Sequence, residues 1–267
     1  MSTDRLTGRR HAQAEHNDDL LDGAVVGSRL LRLRLLGDFS LRCNDQIIGV
    51  SATRIQSLLA YLALHRDAAT TRQQLAFMFW PESSEMQARN NLRQVVHQLR
   101  RKWPAVDDWM SIDAIRLVWR RAVGFDLDVD VCEEALARAG RAERAGDASA
   151  LGAALARAVE SYRGELLPGC YDDWIVADRE RLSQAFVRAL ARLIGGLEEQ
   201  RQVAAAIGYA QLLLRHDPLD EAAYRSLMRL HALNHDRVSA LRVYHACASV
   251  LERELAVEPS PATRREC

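Results

Sequence analysis

Asn90, Gln94, His97 and Arg101 stand at i, i+4, i+7 and i+11 within the stretch Ser84 to Trp103, with Arg93 and Arg100 beside them. At about 100° per residue these side chains share one face of a helix. Amides and guanidinium groups carry the donor and acceptor patterns that match base edges in the major groove of DNA. No acidic residue interrupts the chain from Met86 to Lys102. The chemistry such a face offers is recognition of a polyanion, with Asn90, Arg93, Gln94, His97 and Arg101 as candidates for base readout. Arg100 and Lys102 are candidates for phosphate, which attracts cations regardless of sequence. Arg54 and Arg72, near the starts of their helices, are candidate backbone clamps, and Arg116, with Arg120 and Arg121, would let a hairpin reach an adjacent groove.

Other constellations have plainer explanations. Asp126, Asp128 and Asp130 alternate with apolar residues from Phe125 to Val131. A calcium loop would need a central glycine and a terminal glutamate, so an edge strand or linker accounts for them better. His231 and His235 lie four apart on one predicted helix, with His245 on the next, and no His-Glu-x-x-His motif accompanies them. Packing of His231 and the helix dipole at His235 account for these two. Asp172-Asp173 before Trp174 fall where a helix should begin, so capping explains them without invoking a carboxylate pair. No glycine-rich phosphate loop or nucleophile elbow is present. The expectation is therefore a protein that is not an enzyme, with no cofactor and no metal.

The elements that must position the polar face follow from periodicity. Ala88, Leu92, Val95, Val96, Leu99 and Trp103 form an apolar stripe on the opposite side of the same helix. Upstream, Leu31, Leu33 and Leu35 alternate with Arg32 and Arg34, a half-buried strand, and Asn44-Asp45 offers a turn between two further strands. Ile55, Leu58, Leu59 and Leu62 line a first helix, with Ser51 or Thr53 available as cap. Thr71 can cap a second helix through Trp80, where Pro81 stops it. Beyond Pro104, the runs Trp109–Ile112 and Ile115–Trp119 join at Asp113-Ala114 as a hairpin. Strands, three helices and a hairpin spell a winged helix-turn-helix, whose third helix enters the major groove.

From Asp128 onward the chain reads as helical. Leu190, Leu193, Leu197, Ala206, Ala210 and Leu213 return 34 residues later as Tyr224, Leu227, His231, Ala240, Tyr244 and Cys247. That period, with a small residue in the second helix and Pro218 closing the first unit, is the tetratricopeptide pattern. The fold class is thus mainly α with small β elements: a winged helix-turn-helix domain at 29–121, then an all-α tetratricopeptide-like domain at 122–267, after a disordered tail at 1–28.

The formal net charge of zero hides unlike halves. Residues 29–121 hold 15 Lys and Arg against 8 Asp and Glu, whereas 122–267 hold 18 against 23. A basic part joined to an acidic one suits a nucleic-acid-binding module carrying a protein-binding one. The five cysteines are scattered without a Cys-x-x-Cys pair, which fits a reducing cytoplasm and argues against a disulfide framework. No run of 18 apolar residues suggests a membrane span.

The string GELLPGCYDDW, Gly164 to Trp174, followed by ADRERL, Ala177 to Leu182, resembles the bacterial transcriptional activator domain. The ending LRVYHACASVLERELAVEPSPAT, Leu241 to Thr263, is similar to that domain's last helix and exit. Upstream, LRLRLLGDFSL (Leu31 to Leu41), QQLAFMFW (Gln73 to Trp80) and ARNNLRQVVHQLRRK (Ala88 to Lys102) resemble the winged helix of SARP-class regulators. The resemblance implies a transcription factor that binds promoter repeats, as a homodimer or in tandem on DNA, with Asn90, Arg93, Gln94, His97 and Arg101 on the groove-reading helix, and that helps to recruit RNA polymerase. Many relatives carry lysine where this chain has Arg54, and the hairpin lacks the usual Gly-Tyr near its second strand. The alternative reading is an adaptor that binds no DNA, in which both halves recognise proteins.

Overall fold

The computed structural model describes residues 30–120 and 124–266. The predicted tail at 1–28 and Arg121 lie outside the described residues. Strand β1 (Leu31–Arg34) buries Leu31 and Leu33 and turns Arg34 to solvent. It pairs antiparallel with β2 (Ser40–Cys43), Leu33 opposite Leu41. Asn44 and Asp45, both at positive φ (46° and 67°), turn the chain into β3 (Gln46–Ile47). These two residue types tolerate the left-handed region better than others, and the expected meander forms there.

Helix α1 (Thr53–Leu64) buries Ile55, Leu58, Leu59 and Leu62 as the spacing requires. Its start differs from expectation. Ala52 is the N-cap, with no side-chain hydrogen bond, so neither Ser51 nor Thr53 caps the helix. A two-residue strand, β4 (Thr70–Thr71), leads into α2 (Arg72–Phe79), where Thr71 and Gln74 form a reciprocal capping box. Ser84 then caps α3 (Glu85–Lys102) by accepting from the Gln87 amide at 3.3 Å. A short helix, α4 (Val106–Trp109), takes Trp109 out of the predicted strand. The hairpin is β5 (Met110–Ile112) and β6 (Arg116–Trp119), and β4 joins it in the order β4-β6-β5. This is a winged helix-turn-helix.

Strand β7 (Phe125–Leu127) runs parallel to β1 and completes a four-stranded sheet, β3-β2-β1-β7. The alternation at Phe125–Leu127 is thus an edge strand. Helices α5 (Asp128–Ala145), α6 (Ala148–Ser161), α7 (Val176–Glu199), α8 (Val203–His216), α9 (Glu221–Leu233), α10 (Arg237–Leu255) and α11 (Pro261–Glu266) follow. Consecutive helices pack on one another from α5 to α10. In the repeat, Leu190, Leu193, Ala206, Ala210 and Leu213 are buried, as are Tyr224, Leu227 and Cys247. Ala206 and Ala210, fully covered, let the helices approach closely. His231, Ala240 and Tyr244 are only half-buried in the second copy. His235 sits past the end of α9 at φ 59°, so the two histidines do not share a helix.

One hydrophobic core runs without a break from Leu31 to Leu230, across both halves. The two parts are packed as a single body.

Candidate nucleic-acid interface

Helix α3 divides as its sequence dictates. Ala88, Leu92, Val95, Val96, Leu99 and Trp103 are all buried. Arg93, Gln94, His97 and Arg101 are exposed on the opposite side, and Asn90 is half-buried among them. The five base-readout candidates fall within an arc of about 100°, so one surface presents them together. Among the described residues Arg93, Arg101 and Lys102 form no ion pair with an acidic side chain.

The hairpin is pinned against the start of α2. The Asp113 carboxylate accepts from the backbone amides of Ile115 and Arg116, both at 2.7 Å, and so closes the turn between β5 and β6. Those bonds hold its carboxyl below the usual aspartate range. The Arg72 guanidinium donates to the Asp113 carbonyl at 3.1 Å, and the Arg72 amide donates to the Ile115 carbonyl at 2.8 Å. The wing tip and the start of α2 therefore move as one. Between them and α3 lies an open groove of about 870 Å³, bordered by Arg72, Arg89, Arg93, His97, Arg100 and Ile115. Burial, and then the nearby charges of Arg93 and Arg100, lower the Arg72 pKa from its ordinary value, although its guanidinium stays charged. Like charges crowded along one groove favour an anion between them.

The other predicted phosphate contacts are distributed around this surface. Arg100 grips Asp107 at 2.9 Å on the wing side of α3. Arg116 is exposed on β6. On the far flank, Arg101 and Lys102 border a smaller groove of about 320 Å³ with Val50 to Ala52 and Ile55 at the start of α1. That start has neither a side-chain cap nor an acidic residue in its first turn.

Arg54 departs from its expected role. Its guanidinium forms an ion pair with Asp172 of the helical half and lies 5.7 Å from the centre of the Trp80 ring. It ties the two halves together and does not stand free for a phosphate. Asp172 likewise departs: it accepts from Arg54 and from the Ser57 hydroxyl (2.7 Å) and makes no capping bond. Burial would raise the Asp172 pKa, but the Ser57 and Arg54 hydrogen bonds outweigh it and hold the carboxyl below its usual value.

Further links fix the winged helix-turn-helix to the helical array. Asp128 accepts from the amides of Leu35 (3.0 Å) and Leu36 (2.9 Å). Burial raises its pKa against those bonds. Asp130 pairs with Arg66 at 2.8 Å. These two aspartates are spent on the junction, and among the described residues no group of three or more acidic, histidine or cysteine side chains is placed to hold a metal. Leu36 forms a bridge with Leu166, and Gly164 comes so close to Gly37 that a β-carbon on it would meet the Gly37 α-carbon at 3.1 Å. Arg179 secures the loop by donating to the carbonyls of Leu166, Leu167 and Cys170. Tyr61, Phe79 and Trp174 close the seam as an aromatic cluster, with ring centres 5.3 and 6.2 Å from Trp174. Sequence reasoning missed this junction, although GELLPGC and ADRERL supply its loop and its arginine.

A winged helix-turn-helix fused rigidly to a tetratricopeptide-like array defines a class of two-part transcriptional regulator. The bacterial transcriptional activator domain matches residues 127–266, and the chain belongs to that family. It is 24% identical to the transcriptional regulatory protein MoaR1 of Mycobacterium bovis, over 96% of this chain and 84% of that protein. It is 25% identical to the regulatory protein AfsR of Streptomyces coelicolor, over 88% of this chain but 23% of the relative. The solved structure of Mycobacterium tuberculosis EmbR in complex with a low affinity phosphopeptide shares the fold. Its TM-score is 0.69 at 18% identity, over 89% of this chain and 64% of the EmbR chain. No helix among the described residues is long and apolar enough to cross a membrane.

Proposed function

We propose that this chain is a sequence-specific, DNA-binding transcriptional activator that reads promoter DNA with α3. Asn90, Arg93, Gln94, His97 and Arg101 contact base edges. Arg72, Lys102 and Arg116 anchor the flanking phosphates. Arg100, paired with Asp107, adds to the positive field beside them, and the start of α1, which has no side-chain cap, lies beside Arg101 and Lys102. The observation that carries this reading is the outer face of α3, which gathers exposed amide and cationic donors next to a cation-lined groove. The acidic helical half is repelled by DNA and is free to contact RNA polymerase. A second copy bound in tandem or as a homodimer would occupy a half-site about one helical turn away. The site of action is the cytoplasm, where bacterial promoters are.

The test is selection of duplexes from a randomised library by the full chain, followed by affinity measurements with variants. Arg101→Ala is expected to weaken binding by roughly fivefold to 100-fold, and Gln94→Ala to relax preference at one base position. An equal loss on all sequences for Gln94→Ala would remove that residue from base readout. Failure of the full chain to enrich any sequence would favour the adaptor that binds no DNA.

A further inference from the structure

The first turn of α3 carries a side chain that its own fold does not use. Met86 is 82% exposed. It stands four residues before Asn90 and seven before Arg93, so it extends the reading face one turn toward the helix start. Every other candidate on that face is polar or charged. Its neighbours are occupied: Glu85 pairs with Arg89 at 2.5 Å, and Gln87 donates to Asn91 at 2.8 Å. Ser84 is engaged as the N-cap. Met86 is left facing the shallow groove it shares with Arg89, Asn90 and Arg93.

An apolar group held in water gains free energy when another apolar group covers it. In the major groove the base edges offer one such group, the C5-methyl of thymine. The start of a reading helix is the part that reaches base edges, and a flexible thioether adapts to the position of a methyl. We propose that Met86 is a specificity-determining residue that recognises a thymine methyl at the end of the site read by Asn90. This rests on the reading above that α3 enters the major groove.

The methyl can be removed without altering hydrogen bonding by replacing thymidine with deoxyuridine, one position at a time, in the duplex selected by the full chain. The wild-type chain is expected to lose about fourfold in affinity at one position, the worth of covering one methyl-sized group. Met86→Ala is expected to bind the thymidine duplex about fourfold more weakly and to ignore the change at that position. It should respond like wild type elsewhere. Ile47→Ala, which removes an exposed apolar side chain from β3, should leave the whole profile unaltered. If Met86→Ala keeps the wild-type uracil profile while Gln94→Ala still relaxes one base, the Met86 assignment is overturned and the DNA-binding reading stands. If the full chain binds no duplex, both fall.

Discussion

Asp172 shows how much a single side chain at the junction carries. It satisfies Ser57 and Arg54 at once from across the seam. Asp172→Ala leaves a buried hydroxyl and a guanidinium without their acceptor, and is expected to cost about 2 kcal/mol. For a chain of this length that lowers the melting temperature by roughly 4 to 8 °C, at about 2–4 °C per kcal/mol. The sign of the pH dependence follows from the lowered folded pKa. The stabilisation is fully present above the ordinary aspartate value of about 3.9 and is lost as pH falls through the folded value. The melts of wild type and Asp172→Asn should therefore begin to approach each other as pH falls below about 4 and meet only below the folded value; curves that stay parallel would show that the carboxylate charge contributes nothing. The raised pKa values of Asp128 and Asp130 are common to both proteins and cancel in the comparison. None of these contacts was legible in the sequence, because Ser57 and Asp172 stand 115 residues apart and periodicity reports only local neighbours.

At the scale of elements, α3 was legible almost to the residue. Its apolar stripe repeats at helical spacing, Ser84 is a good cap, and Trp103 ends it. Ser84→Ala should cost about 1 kcal/mol in a thermal melt while leaving base preference unchanged, since the Ser84 hydroxyl is already engaged by the Gln87 amide. An altered preference would place Ser84 in the interface. The start of α1 is ambiguous in the sequence because Ser51 and Thr53 are both acceptable cap residues. The backbone puts Ala52 in the cap position, at φ −78° and ψ 116°. Thr70-Thr71 was too short a strand to read, and β7 was recognisable as an edge strand but not as a partner of β1. The turn at Asp113-Ala114 was visible, though not the carboxylate that closes it. Asp113→Ala frees the amides of Ile115 and Arg116, so DNA affinity should fall when measured by fluorescence anisotropy. An unchanged affinity would mean that the wing does not touch DNA.

The whole molecule is a winged helix-turn-helix welded to a helical array. Sheet β3-β2-β1-β7, the Asp128 bonds and one shared core make the winged helix dependent on residues beyond 124. Calorimetry should accordingly find one transition whose calorimetric and van't Hoff enthalpies agree. Two well-separated transitions would mean that the halves fold independently. Under the proposed reading, rigid fusion would also give the acidic half a defined position relative to a promoter with α3 seated on it. The division of charge was plain in the sequence; the fusion was not, since composition shifts mark a boundary without saying how its sides pack. The central claim is that α3 and its surrounding cations hold DNA. The most direct measurement is an anisotropy titration of the selected duplex at several salt concentrations. Three phosphate contacts, from Arg72, Lys102 and Arg116, predict that log affinity falls with log salt at a slope of about −2.7, and each of these residues changed to alanine should make the slope shallower by about one. A weak affinity that does not vary with salt would contradict the account.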